Sequence, residues 1–267
     1  MDKRRMCPHC RAFITTDDKV CPYCNNTVGP RAIERRSPSD IAGLIPASRY
    51  VTSLILLINV GLYAATIART GGYEPDGSSL IAFGAKYTPA ILAGEWWRFI
   101  TAGFLHGGVL HILMNSWVLF DLGAQVEELF GQARMIVIYL VATIGGFYAS
   151  YLWSISLSVG ASAGIFGLLG AMIALGMRSP GSFGAELRGY YVRWAVYGFA
   201  MGLLPGLRID NAAHLGGLAS GFLVAYIAGT PKLVDRGMET AWKVLAGLSV
   251  AVTIFAFLKM ALQLNRG

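Results

Sequence analysis

Ser162 is the one hydroxyl in Val159–Leu175, VGASAGIFGLLGAMIAL, an apolar stretch of helical character with glycines beside the serine. His111 and Asn115 are four residues apart in His106-Gly-Gly-Val-Leu-His111-Ile-Leu-Met-Asn115, so a helix sets them on one face, a turn from each other, as a pair of donors. His214 lies in Asp210-Asn-Ala-Ala-His214-Leu-Gly-Gly217-Leu-Ala-Ser-Gly221, and Gly217xxxGly221 is a spacing that lets two helices touch backbone to backbone. Ser162, Phe166, Gly170 and Ile173 form a stripe, flanked by Gly160, Gly164 and Gly167, that offers the matching surface. A helix pair this close brings Ser162 and His214 within hydrogen-bonding reach, which is the arrangement of a nucleophile and its general base. Each residue alone also has a plain reading. A serine in an apolar helix back-bonds or packs as a small residue, a histidine at a helix start such as His106 is interfacial, and His111 with Asn115 serves as interhelical glue. Their joint placement at the starts of helices that begin at one face favours a single polar cluster.

A second group stands apart near the N-terminus. All four cysteines fall there, as Cys7-Pro-His-Cys10 and Cys21-Pro-Tyr-Cys24. Two CxxC pairs at this separation can give four thiolates to one tetrahedral zinc, each pair forming a tight turn that aims both sulfurs at the metal. The pattern resembles a zinc ribbon, with one structural zinc, and His9 as a bystander. Two disulfides or a redox CxxC are the competing readings. A disulfide framework needs an oxidising compartment, whereas residues 1–49 carry nine Lys and Arg against five acids, which places them on the cytoplasmic side. So small a module cannot fold without its metal.

The elements that must position these groups are membrane helices. The chain has 267 residues, 55% hydrophobic and 14% charged, where soluble domains carry about 25% charged residues. Apolar runs near the ~20 residues needed to cross a bilayer core recur throughout. They cover Tyr50 to Ala68, His106 to Gln125, Met135 to Trp153, Gly160 to Gly176, Tyr191 to Leu207, Ala212 to Ile227 and Trp242 to Leu262. The expected class is therefore an all-α polytopic membrane protein with seven spans. Its net charge of +7 lies between and beside the spans and reads as orientation, with no nucleic-acid partner implied. The first 48 residues are polar, so no cleavable signal peptide is expected and the first span serves as anchor. With the N-terminus cytoplasmic, Glu127 to Arg134, Arg178 to Tyr190 and Gly229 to Ala241 become inner loops, and Glu127 and Glu128 hold loop contacts. The long outer segment Arg69 to Leu105 reads as partly embedded. Its Trp96-Trp97-Arg98 is either an interfacial anchor or a specific structural element.

Gly160-Ala-Ser162-Ala-Gly164 also matches GxSxG, the nucleophile elbow of soluble α/β-hydrolases. Context rejects that match, because membrane spans replace the strand and sheet the elbow requires.

From about Tyr50 onward the chain resembles the rhomboid intramembrane serine proteases. The family's Trp-Arg appears as Trp97-Arg98, its HxxxxHxxxN as His106, His111 and Asn115, its GxSx as Gly160 to Ala163, and its AHxxG as Ala213 to Gly217. One departure is Ala163, where the family often has glycine. The resemblance implies a six-span core over residues 50–229, preceded by the four-cysteine module at 1–29 and a linker at 30–49. A loop and seventh span follow at 230–267, and neither that span nor the zinc module bears on the core chemistry. It also implies Ser162 as nucleophile and His214 as general base, with no cofactor for catalysis. The Ser162 backbone N–H and the His111 and Asn115 side chains would bind the oxyanion. Phe166 would orient the His214 ring, Gly160 would free the backbone for the substrate carbonyl, and Trp97, Arg98, His106 and Gly217 would give structural support. The implied substrates are single-span membrane proteins, cleaved near the outer face of a bilayer that is expected to be the bacterial plasma membrane. A catalytically silent relative that binds or escorts membrane proteins is the alternative.

Overall fold

The structure is a computed structural model and describes residues 4–7, 9–10, 12–15, 18–28, 49–153, 157–205, 208–230 and 236–265. The expected linker at 30–49, apart from Arg49, and Lys232 in the last inner loop lie outside the described residues. The chain divides into two compact units, Met1–Ala47 and Ser48–Gly267.

In the first unit, β1 (Arg4–Met6) and β2 (Phe13–Thr15) pair antiparallel around Cys7 and Cys10, with Arg5 opposite Ile14. An antiparallel bridge between Val20 and Thr27 encloses Cys21 and Cys24 in the same manner. The second turn is tight enough to hold Asn25 at φ 55°, a left-handed conformation that asparagine tolerates better than most residues. The described apolar residues buried here are Cys7, Ile14, Cys21 and Val28, far too few to offset the entropy of ordering the chain.

The second unit is all-α. It opens with α1 (Tyr50–Thr70), then three short helices, α2 (Gly77–Ala82), α3 (Thr88–Leu92) and α4 (Arg98–Thr101), and a 3-10 turn at Ala102–Phe104. α5 (Val109–Val118) runs through a π turn at Leu119–Gly123 into α6 (Ala124–Trp153). Four further helices follow: α7 (Ser162–Arg178), α8 (Gly181–Met201), α9 (Asn211–Ala228) and α10 (Arg236–Leu264).

Among the described residues, four helical stretches are long and apolar enough to cross a bilayer: Tyr50–Thr70, Val109–Trp153, Asn211–Ala228 and Gly237–Leu264. At 45 residues, Val109–Trp153 is more than twice the length one crossing needs. Gly131 breaks it with φ 79° and ψ 161°, and thereby separates the expected second and third spans. The chain is an integral membrane protein.

Two expectations about the inner ends change. Arg178 to Tyr190 is not a loop, because α8 starts at Gly181 and carries exposed Glu186, Arg188 and Arg193. Hydropathy locates the apolar stretch of a helix and misses polar turns at its start. Glu127 does more than hold a loop. Its buried carboxylate accepts the backbone N–H groups of Val51 and Thr52 and the Thr52 hydroxyl, each at 2.9 Å. It thus caps the free N–H groups at the start of α1 and complements that end of the helix dipole.

α7 is buried on nearly every side, against α6, α8 and α9. Its 17 residues span about 25 Å at 1.5 Å per residue, less than the ~30 Å hydrocarbon thickness. An end of this helix therefore lies below a membrane surface. α10 packs against α6 and α4. Arg134, buried in α6, donates two parallel hydrogen bonds to Glu239 of α10 at 2.9 and 2.7 Å and lies 5.5 Å from the Trp242 ring centre.

Candidate active site

Ser162 is the first residue of α7, and from Gly160 to Met172 it is the only one that is not buried. Ser162 is thus the one half-buried residue in an otherwise buried stretch. The entry to it is shaped by Gly160, whose φ of 133° disfavours any side chain and whose N–H donates to the Ala102 carbonyl at 2.9 Å. A Cβ at Gly160 would stand 2.7 Å from His111 Nε2 and 3.6 Å from Asn115 Nδ2. Glycine here lets the polar face of α5 approach the serine loop.

The two donors on α5 are prepared differently. The Gly107 N–H donates to His111 Nδ1 at 3.3 Å, so Nδ1 is the acceptor and Nε2, directed at Gly160, carries the proton. Asn115 Nδ2 is buried with no hydrogen-bond partner among the described residues. A buried donor left unpaired costs about 1–3 kcal/mol, which an acceptor arriving at this site would recover. Buried His106 meets the His111 ring edge-on at 5.1 Å and wedges it from behind.

α7 and α9 lie backbone to backbone. A Cβ at Gly217 would come within 2.1 Å of the Ala163 carbonyl oxygen, and one at Gly221 within 2.2 Å of that of Gly167. These pairings keep the same offset along both helices, so the two run parallel, with the first turn of α9 level with the residues just before Ser162. Gly164, by contrast, makes room for the Tyr139 ring of α6 rather than for α9. Ala163 is fully buried, and a Cβ added at Gly146 of α6 would strike its methyl at 2.7 Å. The helices therefore close around alanine here because the facing residues are glycines.

His214 sits in the first turn of α9, buried, with its ring stacked on Phe166 at 4.0 Å and 14° and met edge-on by Phe199 at 6.2 Å. Among the described residues no hydrogen bond joins Ser162 to His214, and His214 Nδ1 has no partner. Bonds of this kind are often long in ligand-free enzymes and tighten when substrate arrives.

Trp97 and Arg98 are not an interfacial anchor, since both are buried. Arg98 donates to Glu95 at 2.5 Å and to the carbonyls of Ile81 and Ala85 at 2.7 and 3.0 Å, and it lies over the Trp97 ring. It gathers the turns of the segment between α1 and α5. Trp96, half exposed, stacks on Phe255 of α10, and Gln263 of α10 donates to Glu95 at 3.0 Å. The last helix thus holds the segment that Arg98 organises. A single sequence shows Arg98 and Glu95 only as charges in an outer loop, with no signal that they meet.

In the N-terminal unit the four sulfurs lie within 4.8 Å of one another. Cys7 and Cys24 are 3.8 Å apart and Cys10 and Cys21 are 3.6 Å apart. All four cysteines are free thiols, and these separations exceed the ~2.05 Å of a disulfide. They match the ~3.8 Å edge of a tetrahedron built on Zn–S bonds of ~2.3 Å. The Cys10 N–H, aimed at the Cys7 sulfur, holds that thiol at about 6, with the His9 N–H assisting. The Ala12 N–H lowers Cys10, but desolvation and the three other sulfurs outweigh it and push that thiol up to about 12. Four sulfurs packed this closely cannot all ionise unless a cation joins them, so the donor set fits zinc.

The candidate site residues of the membrane unit lie inside the region that matches a known family. The Rhomboid domain family matches residues 93–231. The chain is 35% identical over 185 residues to "Rhomboid protease GluP" of Bacillus subtilis (strain 168), covering 68% of this chain and 36% of that protein. It is 33% identical over 171 residues to "RHOMBOID-like protein 4" of Arabidopsis thaliana, covering 57% of this chain and 39% of that one. With "Rhomboid protease AarA" of Providencia stuartii it shares 28% over 209 residues, or 68% of this chain and 74% of that protein. The chain thus spans well under two thirds of the length of the first two.

Proposed function

This chain belongs to the rhomboid family, and from that membership we propose that it is an intramembrane serine endopeptidase using Ser162 and His214 as a dyad. Its substrates are single-span membrane proteins, cut near the outer face. The protein lies in a bacterial plasma membrane with its four-cysteine module on the cytoplasmic side, in keeping with the basic N-terminal region and with the inner ends assigned to Glu127 and Arg134. Residues 1–29, 30–49, 50–229 and 230–267 are then module, linker, catalytic core and appended span.

The observation that carries this reading is that Ser162 alone is not buried between Gly160 and Met172, beside a Gly160 turn that opens onto His111 and the unpaired Asn115 amide. The start of a short α7 lies below the surface, where irregular backbone is tolerated only along a cavity that water can enter. Ser162 Oγ attacks the scissile carbonyl carbon, forming the C–O bond while its proton passes to His214. The carbonyl oxygen takes up the displaced electron pair and is held by His111 Nε2, Asn115 Nδ2 and the Ser162 N–H. His214 then protonates the leaving nitrogen as the C–N bond breaks. Water, giving its proton to His214, hydrolyses the acyl-enzyme and restores the serine. The Phe166 stack fixes the imidazole plane throughout. The four cysteines hold one structural zinc, which takes no part in these steps.

The full chain reconstituted in liposomes with a single-span substrate tests this. Ser162→Ala and His214→Ala are expected to reduce cleavage to background, and undiminished cleavage by either variant would sink the dyad. A fluorophosphonate probe should label the wild type and not Ser162→Ala. A wild type that binds substrate yet takes no label would be an escort factor instead.

A further inference from the structure

Of the 21 residues of α8, only Gly184, Tyr191 and Ala195 are buried, and the helix packs chiefly against α7. A helix so lightly held is placed by few contacts, and those near its end lead to His214. Gly198 makes the first. A Cβ there would stand 2.5 Å from Phe166 Cζ, so the glycine leaves a notch that the Phe166 ring fills. Phe199 makes the second. Its ring meets Phe166 edge-on at 5.0 Å and 61°, and His214 at 6.2 Å and 65°. Phe166 and His214 are themselves stacked at 4.0 Å. These three separations form a triangle with a nearly right angle at Phe166, so Phe199 stands beside the stacked pair rather than above or below it. Stacking fixes the tilt of the imidazole plane, and a ring at the side blocks sliding within that plane.

The end of α8 is tied to α9 by Asn211, three residues before His214. The Asn211 amide nitrogen donates to the Phe199 carbonyl at 3.2 Å, and the Gly202 N–H donates to the same oxygen at 3.1 Å. A carbonyl only accepts, so the amide is oriented with its nitrogen toward it. A Cβ at Gly202 would collide with the Asn211 amide, so glycine permits the tie. The last carbonyls of a helix lack partners within it, and here one of them joins α8 to the first turn of α9. Among the described residues nothing bonds His214 Nδ1, so the ring is held by packing.

We propose that Phe199 and Asn211 are positioning residues for the general base. Phe199 walls the Phe166–His214 stack on one side, and Asn211 keeps Phe199 in that place by fastening α8 to α9. The inference rests on the protease reading above and extends it to two residues outside the dyad. A general base works only when its nitrogen lies within reach of the proton it takes, and a misplacement of about 1 Å can cost about a hundredfold in rate.

The test is steady-state cleavage of a single-span substrate by the full chain in liposomes, with the rate of fluorophosphonate labelling of Ser162 measured alongside. Labelling needs the base but no transmembrane substrate. Phe199→Leu keeps apolar bulk and removes the ring. It should lower kcat and the labelling rate together, by about tenfold to a hundredfold, with KM within about twofold of the wild type. Phe199→Tyr restores a ring and should recover most of both rates. Asn211→Ala should lower the same two rates, and combining it with Phe199→Leu should be no slower than Phe199→Leu alone, because both changes act through one ring. Val196→Ala, on the exposed side of α8, should leave kcat unchanged. A residue that merely stabilised the helix would lower the unfolding temperature without this pattern. If Phe199→Leu does not fold, Phe199→Met replaces it. Unchanged labelling in the ring-less variant, a raised KM at constant kcat, additive losses in the double variant, or an equal loss in Val196→Ala overturns the proposal. Should that happen while Ser162→Ala still abolishes cleavage, the dyad stands and only the inference falls. A wild type that neither cleaves nor labels removes both.

Discussion

A serine hydroxyl is a weak nucleophile until a base and preorganised donors are held beside it, and in the proposed site Gly160 is the residue that leaves room for His111 and Asn115. The residue combines a φ of 133° with a Cβ position 2.7 Å from His111 Nε2, so alanine there both strains the backbone and displaces the donor. Gly160→Ala should lower kcat by about a hundredfold, the scale of one lost oxyanion donor. Asn115→Ala removes the unpaired amide itself and should lower kcat by about 10²–10³ with little change in KM, because that contact is made chiefly in the transition state. Steady-state kinetics on one substrate distinguish the outcomes. A raised KM at constant kcat would make Asn115 a substrate-binding residue and not an oxyanion donor.

At the scale of elements, the site depends on how closely α7 and α9 approach. Glycine matters where it meets backbone and not where it is merely present. Gly221→Ala pushes a methyl into the Gly167 carbonyl, 2.2 Å away, and should cost at least about 1–3 kcal/mol as an overpacked core does. Gly247→Ala in α10 meets nothing within 4 Å and should be neutral or slightly stabilising, since alanine is favoured over glycine in a helix by ~1 kcal/mol. Thermal unfolding in detergent compares the two, and equal effects would contradict the packing described. This contact was legible in the sequence as Gly217xxxGly221, because small residues at one-turn spacing signal close approach whatever their partner. Which glycines face which helix was not legible, and Gly164 turned out to accommodate Tyr139. Periodicity placed His111 beside Asn115 for the same local reason. The cap that Glu127 provides for α1, the pairing of Arg134 with Glu239 and the grip of α10 on Glu95 join residues far apart in the chain. No spacing rule reports such contacts. The early start of α8 was hidden because its first turns are polar.

At the scale of the whole molecule, two units with different sources of stability share one chain. The membrane unit buries a continuous apolar core that runs through α1, α6, α7 and α9 and reaches α10 at Ala256 and Met260. The N-terminal unit buries only Cys7, Ile14, Cys21 and Val28 among its described apolar residues, and the proposed zinc would supply the order that so small a core does not. Purified under reducing conditions, the protein should therefore carry one zinc per chain by elemental analysis, and Cys7→Ser with Cys21→Ser should carry none. Because zinc binds thiolates and releases their protons, its retention should weaken as pH falls from about 8 to about 6. Stripping the metal with a strong chelator should expose the first 47 residues to added protease while leaving the membrane helices protected. If the catalytic core draws nothing from the zinc, kcat on a substrate confined to its transmembrane segment should be unchanged after stripping. A fall in kcat that tracks zinc loss would mean that the module acts on the core, and the two units would then have to be treated as one machine.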